Sequence, residues 1–178
     1  LALPAATSAT QAAPAFGLAA TVERAPSLVD LDTSKTGSIT IHKYVKDATN
    51  GTTEGNGLED TSNHGTPLDG AKFKIERLTT VDLTTQAGWE KLAGYNGNVD
   101  TAKAGGVEDA GEKTTAGGGL ATFSGLKLGA YVVTETETPA GYVGAKPFII
   151  TVPMTHPTEL NKWVYDVHAY PKNSKAGI

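Results

Sequence analysis

The segment GSITIHKYV, residues 37–45, sets Ile39, Ile41 and Val45 on one parity and Thr40 and His42 on the other. Side chains alternate across a strand, so this is the pattern of a strand with one face on a core and one on water. Lys43 falls in the apolar series. A lysine there has to be neutralised, paired or carried to the surface, because burying an isolated ammonium is strongly unfavourable.

Outward from this segment, short alternating runs recur at 71–78, 120–124, 130–137, 146–152 and 161–170, separated by Gly, Pro, Asn and Asp. That spacing predicts an all-β sandwich or barrel. One helix is expected in DLTTQAGWEKLAGY, residues 82–95, with Asp82 as its cap and Leu83, Ala87 and Leu92 on one side; Gly88 counts against it. Residues 105–119, dominated by Gly, Thr, Ala and charge, read as a mobile surface loop. The stretch 79–119 is then a long insertion between two strands.

Composition narrows the function classes. The 178 residues carry 15 basic and 19 acidic side chains, a net charge of -4, which gives no electrostatic footprint for a nucleic acid. With no cysteine, disulfides, thiol nucleophiles and Cys-ligated zinc are excluded. No run approaches the roughly 20 apolar residues of a membrane-spanning helix. The opening LALPAATSATQAAPAFGLAA, with an A-x-A site at Ala13, Pro14 and Ala15, reads either as the remnant of a secretory leader or as a flexible extension through residue 36. His42, His64, His156 and His168 show no metal-ligand spacing, and Asp30 and Asp32 lack the other oxygen ligands of a calcium loop, so no metal or cofactor is expected. Neither a Ser–His–Asp arrangement nor a nucleophile elbow supports a hydrolase. The chain is not expected to be an enzyme.

Two further strands carry polar residues on inward parity. In AYVVTETE, residues 130–137, Glu135 shares its parity with Tyr131 and Val133, although Val132 is apolar as well. In KWVYDVHAYPKN, residues 162–173, the series Trp163, Val167 and Ala169 continues through Pro171 to Asn173 and leaves Lys172 outside. Pro171 removes a backbone donor, marking an edge or exit. A Lys, a Glu and an Asn facing one apolar interior fit two arrangements. One is a buried Lys–Glu ion pair beside a hydrogen-bonded Asn. The other is a self-made amide: neutral Lys43 attacks the Asn173 carboxamide, Glu135 polarises the carbonyl and shuttles protons, and ammonia leaves.

These residues also carry a likeness. Residues 131–142 resemble the E-box of Gram-positive pilins and collagen-adhesin B-type domains, Y-x-L-x-E-T-x-A-P-x-G-Y, at Tyr131, Glu135, Thr136, Pro139, Gly141 and Tyr142, with Val133 for Leu and Thr138 for Ala. Residues 163–173 resemble the pilin motif W-x-x-x-V-x-V-Y-P-K-N at Trp163, Val167, Tyr170, Pro171, Lys172 and Asn173, with Ala169 where Val is usual. The resemblance spans 37–173 and implies the N-terminal domain of a sortase-assembled major pilin.

It further implies an immunoglobulin-like, collagen-adhesin B-type β-sandwich at 37–173, followed by a linker at 174–178 to a further domain. In that family a pilus-specific sortase holds the sorting-signal Thr of one subunit as a thioester, and the pilin-motif lysine of another attacks it. Lys172 matches that lysine. The implied partners are the sortase, other pilin subunits and host surface ligands, and the implied location is an extracellular, cell wall-anchored pilus. The E-box glutamate serves an intramolecular isopeptide bond in many such domains, which favours a Lys43–Asn173 bond catalysed by Glu135. The competing function is an adhesin or a tip or base pilin displaying a binding loop within 79–119, where Trp89 and Tyr95 offer a contact surface or, alternatively, pack onto their own domain. With no sorting signal in it, the chain is expected to be one domain of a longer pilin.

Overall fold

The computed structural model describes residues 27–46, 56–62, 64–159 and 161–176. The A-x-A site and the rest of residues 1–26, expected to be a leader remnant or a flexible extension, lie outside the described residues. Two sheets face each other. The first is three-stranded, with β1 (Gly37–His42) between β5 (Leu120–Leu126) and β11 (Asp166–Ala169). The second is four-stranded, in the order β4 (Val107–Thr114), β3 (Lys72–Leu78), β6 (Gly129–Glu137), β8 (Phe148–Val152). Ile39 and Ile41 from the first sheet meet Phe73, Ile75, Tyr131 and Val133 from the second in one continuous core. This is the sandwich that the alternation predicts.

The first and last strands run parallel. β1 pairs with β11, and the register continues from β2 (Tyr44–Val45) to β12 (Lys172–Lys175), with Lys172 opposite Tyr44 and Asn173 opposite Val45. β12 also pairs antiparallel with β7 (Tyr142–Val143), through Ser174 and Lys175. The ordered strand therefore runs two residues beyond the boundary expected at 173. At the other end, residues expected in the extension lie on the domain: Asp32 N–H donates to the Tyr165 hydroxyl, and Trp163 Nε1–H donates to Ser27 O.

A third layer covers the outer face of the four-stranded sheet. Helices α1 (Gln86–Gly94) and α2 (Val99–Ala104) pack Trp89, Leu92, Val99 and Ala102 onto Leu78, Ala130, Val132 and Ile149. This layer explains why Val132 is apolar although it points away from the sandwich core. The cap of α1 is Thr85, whose hydroxyl accepts from Gly88 N–H, and not Asp82, which folds back on Thr84 instead. Ala87 is exposed; the buried side of α1 runs through Gly88, Trp89 and Leu92. Gly88 is the contact point, since a Cβ there would overlap the Asp82 carbonyl. Gly88→Ala is expected to cost about 1–3 kcal/mol, the range for forcing extra volume into a packed site, read as a lower denaturation midpoint at unchanged slope.

The loop expected at 105–119 is largely the edge strand β4. Five of its eight residues are exposed and none is fully buried, so no alternation of apolar residues announces it. Register comes instead from charge across the ladder: Arg77 Nε lies 3.1 Å from Glu108 Oε2, and Lys72 Nζ lies 3.5 Å from Glu112 Oε1. The run expected at 161–170 is likewise divided, into β10 (Trp163–Val164), which pairs with β9 (Met154–Thr155), and β11. The break at Tyr165 reverses parity. Val164, not Trp163, packs against the sandwich core.

Candidate functional site

Lys43 lies between β1 and β2, where its backbone leaves the ladder. Its N–H donates to Gly119 O at 2.7 Å, and its carbonyl accepts from Leu68 N–H at 2.9 Å. Gly119 has φ +81 and no room for a Cβ against the Lys43 carbonyl, so glycine is required there. Fixed in this way, the Lys43 side chain stays on the parity of Ile39 and Ile41 and is 0% exposed.

Glu135 arrives from β6 on the parity of Tyr131 and Val133, opposite Phe73 of β3. Asn173 arrives from β12 on the parity of Val167 and Ala169. Both side chains are buried, and Asn173 is 0% exposed. The three expected residues therefore converge. Lys43 Nζ lies 3.1 Å from Glu135 Oε1, Asn173 Nδ2 donates to Glu135 Oε2 at 2.6 Å, and Ala145 N–H donates to Oε1 at 3.0 Å. The Lys43–Glu135 contact is an ion pair outside hydrogen-bonding direction, and Asn173 Oδ1 has no partner. Phe73 places its ring centroid 5.4 Å from Nζ.

Burial pushes the Lys43 ammonium below the ordinary lysine value, and the Glu135 charge beside it only partly offsets this. Burial in this way lowers the cost for Lys43 of giving up its proton and standing as a neutral amine beside a carboxylate and a carboxamide. Such a set has the parts for amide exchange: nucleophile, proton shuttle, and a carbonyl whose leaving group is neutral ammonia.

Lys172 sits one residue from this cluster and on the other face. It is partly exposed while Asn173 is fully buried. Of the remaining motif residues, Tyr131, Val167, Tyr170 and Pro171 are buried. The Tyr131 hydroxyl donates to Lys127 O at 2.6 Å, and burial pushes its pKa up to about 12. Thr136 points outward. Gly141, at φ +90, turns the chain into Tyr142 of β7 and accepts from Ala176 N–H. Pro139 and Trp163 are not brought to the cluster; Trp163 meets Trp89 in a tilted contact at 5.5 Å between ring centroids. Trp89 also donates from Nε1 to Leu83 O at 2.8 Å, and Tyr95 packs in the same outer layer, so these aromatics serve their own domain.

Two parts of the site escaped sequence reasoning. Phe73 shares inward parity with Ala71 and Ile75, a signal that was present but unspecific. The Ala145 N–H has no side-chain signature at all. Among the described residues, no group of three or more His, Cys, Asp or Glu is arranged to hold a metal ion, and no helix is long and apolar enough to cross a membrane.

Residues 34–174 match the family described as Gram-positive pilin subunit D1, N-terminal domain. The chain is 40% identical over 166 residues to fimbrial subunit type 1 of Actinomyces viscosus, covering 91% of this chain and 30% of that protein. Among solved structures, the fimbrial protein FimP of Actinomyces oris is similar with a TM-score of 0.69 and 37% identity, over 80% of this chain and 30% of that one. A solution structure of the SpaA pilin–signal peptide complex of Corynebacterium diphtheriae has a TM-score of 0.64 and 29% identity, over 80% of this chain and 100% of that one. The chain thus spans 30% of the length of the fimbrial relative from Actinomyces viscosus. The immunoglobulin-like, all-β architecture is shared with these pilin structures.

Proposed function

Because the chain belongs to the family of Gram-positive pilin subunit N-terminal domains, we propose that it forms part of a structural shaft subunit in which Lys172 accepts the sorting-signal Thr of another subunit. A pilus-specific sortase presents that Thr as a thioester. The Lys172 amine attacks, the thiol leaves, and an intersubunit amide remains, building a covalent polymer on the extracellular, cell wall-anchored surface. The observation that carries this reading is the division of one short segment, with Asn173 fully buried and Lys172 partly exposed on the opposite face. A groove lined by Phe148, Ile150, Met154, His168, Tyr170 and Pro171 ends one residue before Lys172 in the chain and offers an extended peptide a place to lie. That a SpaA relative has been solved as a complex with a signal peptide supports peptide binding by a domain of this kind.

The inward half of the segment carries a second, single-turnover reaction. After proton transfer to Glu135, the Lys43 amine attacks Asn173 Cγ, and the new N–C bond replaces the C–Nδ2 bond; Glu135 gives its proton to the departing nitrogen, which leaves as ammonia, and takes the second proton from the attacking nitrogen, so that a neutral amide and a neutral acid remain. The two ends of the carboxamide are nearly isosteric. A half turn about χ2 sets Oδ1 on Oε2, the orientation in which protonated Glu135 polarises the carbonyl.

The test incubates this chain with the pilus-type sortase and a sorting-signal peptide and maps the adduct by peptide mass spectrometry. Attachment at Lys172 is expected. Attachment at Lys175, exposed on the same strand, would overturn the assignment.

A further inference from the structure

On the face of the terminal strands away from the buried cluster, four rings form a column. His42 lies on Tyr170 at 4.4 Å between centroids, Tyr170 on His64 at 4.5 Å, and His64 on Tyr44 at 5.2 Å. His42 Nε2 and His168 Nδ1 stand 2.8 Å apart, a contact in which one nitrogen must donate and the other accept. Residues 56–62 are tied to the same column. His168 N–H donates to Gly57 O at 2.9 Å, the Tyr170 hydroxyl accepts from Asp60 N–H and donates to Asp60 O at 3.3 Å, and Asp60 Oδ2 meets His64 Nε2 at 3.1 Å. Tyr170 and Pro171 lead directly into Lys172, which shares this face and lies opposite Tyr44.

The titratable groups facing His42 are His168 and Tyr170 from the last strand and Glu59 and His64 from the residues packed on it, with Asp60 and Tyr44 further along the column. Its neighbour on β5, Leu120, brings no charge. Burial holds His42 below its ordinary 6.5, the charges of His168 and His64 push the same way, and Glu59 opposes them. A histidine depressed in the fold binds fewer protons there than in an opened state. The pinned arrangement is therefore fully favoured above about pH 6.5 and weakens as pH falls from that value toward the lower folded one. With both rings protonated, two donors would face each other across the contact.

We propose that His42 and His168 are positioning residues for Lys172, holding the Tyr170–Lys172 end of the last strand to the 56–62 segment while at least one ring is neutral. This rests on the reading of Lys172 as the sortase acceptor. The experiment has two arms on the whole chain. In the first, amide exchange of Asp60 and His168 is followed by NMR between about pH 7.5 and 5. Protection is expected to fall by up to about tenfold per pH unit below 6.5, the limit for one linked proton. The pair His42→Gln with His168→Asn keeps amide groups where Nε2 and Nδ1 stood and is expected to give a flat profile. A flat wild-type profile, which needs no variant to measure, or a variant profile falling like the wild type, would overturn the inference.

In the second arm, sortase transfer to Lys172 is measured over the same range with both chains. The ratio of variant to wild-type kcat/KM is expected to rise as pH falls below 6.5, by up to about tenfold per pH unit, which cancels the sortase's own pH dependence and which a merely structural role would not produce. A constant ratio with transfer intact sinks the positioning role and leaves Lys172 as acceptor. Absence of transfer to Lys172 at every pH sinks the acceptor reading and the positioning role together, while the exchange profile of the first arm still reports whether the histidines pin the strand.

Discussion

Intact chain is expected to weigh less than its sequence by one ammonia, and Glu135→Ala to restore the full mass. The expectation follows from the convergence of Lys43, Glu135 and Asn173 in a site closed to water, with Glu135 in contact with both prospective partners. Without Glu135 there is no proton acceptor for the amine and no donor for the departing nitrogen. That substitution also leaves Lys43 buried without its counter-charge, which costs about 3–5 kcal/mol when one member of a buried pair is removed. Lys43→Met combined with Glu135→Gln separates the two effects, since it removes the nucleophile and both buried charges together at similar volume. It too should show full mass, and its stability should fall by about 5 kcal/mol, the chain-entropy contribution of a crosslink closing a loop of this length. Full mass in the folded wild type would leave the cluster as an ion pair and nothing more.

Lys172→Arg is expected to abolish sortase-dependent adduct formation while leaving the thermal transition within a degree or two of the wild type, because substitutions on a partly exposed surface usually change stability by less than about 0.5 kcal/mol. Arginine keeps the charge and much of the stem but is not a nucleophile at neutral pH. Lys175→Arg serves as the comparison and should conjugate normally. Residual adduct in Lys172→Arg, mapped to Lys175, would show that the sortase selects the strand and not the residue.

Alternation with period two located the buried cluster in the sequence because inward parity survives even where the backbone is irregular. Lys43 keeps its parity although it lies outside the ladder, and Asn173 keeps the parity of Val167 across Pro171. The same rule failed at Tyr165, where the chain changes partner and Trp163 leaves the core series. It also missed β4, whose register depends on cross-strand charge pairs and not on buried apolar residues. The outer helical layer was partly legible. A helix was expected, but its glycine looked like a flaw and proved to be the point of closest approach, since a contact between a helix and the Asp82 carbonyl leaves no trace in composition. Phe73 and the Ala145 N–H mark the limit for the site itself, one because an inward Phe is ordinary, the other because backbone donors are invisible to residue type.

The parallel pairing of β1 and β2 with β11 and β12 has a mechanical consequence. When a chain is pulled from the start of its first strand and the end of its last, and those strands run the same way side by side, the load falls along the ladder in shear. Its hydrogen bonds then resist together instead of opening one after another from an end, which raises the barrier that governs forced unfolding. An amide between Lys43 and Asn173 would carry that load from one strand to the other through covalent bonds, and the sandwich between them would be relieved of tension.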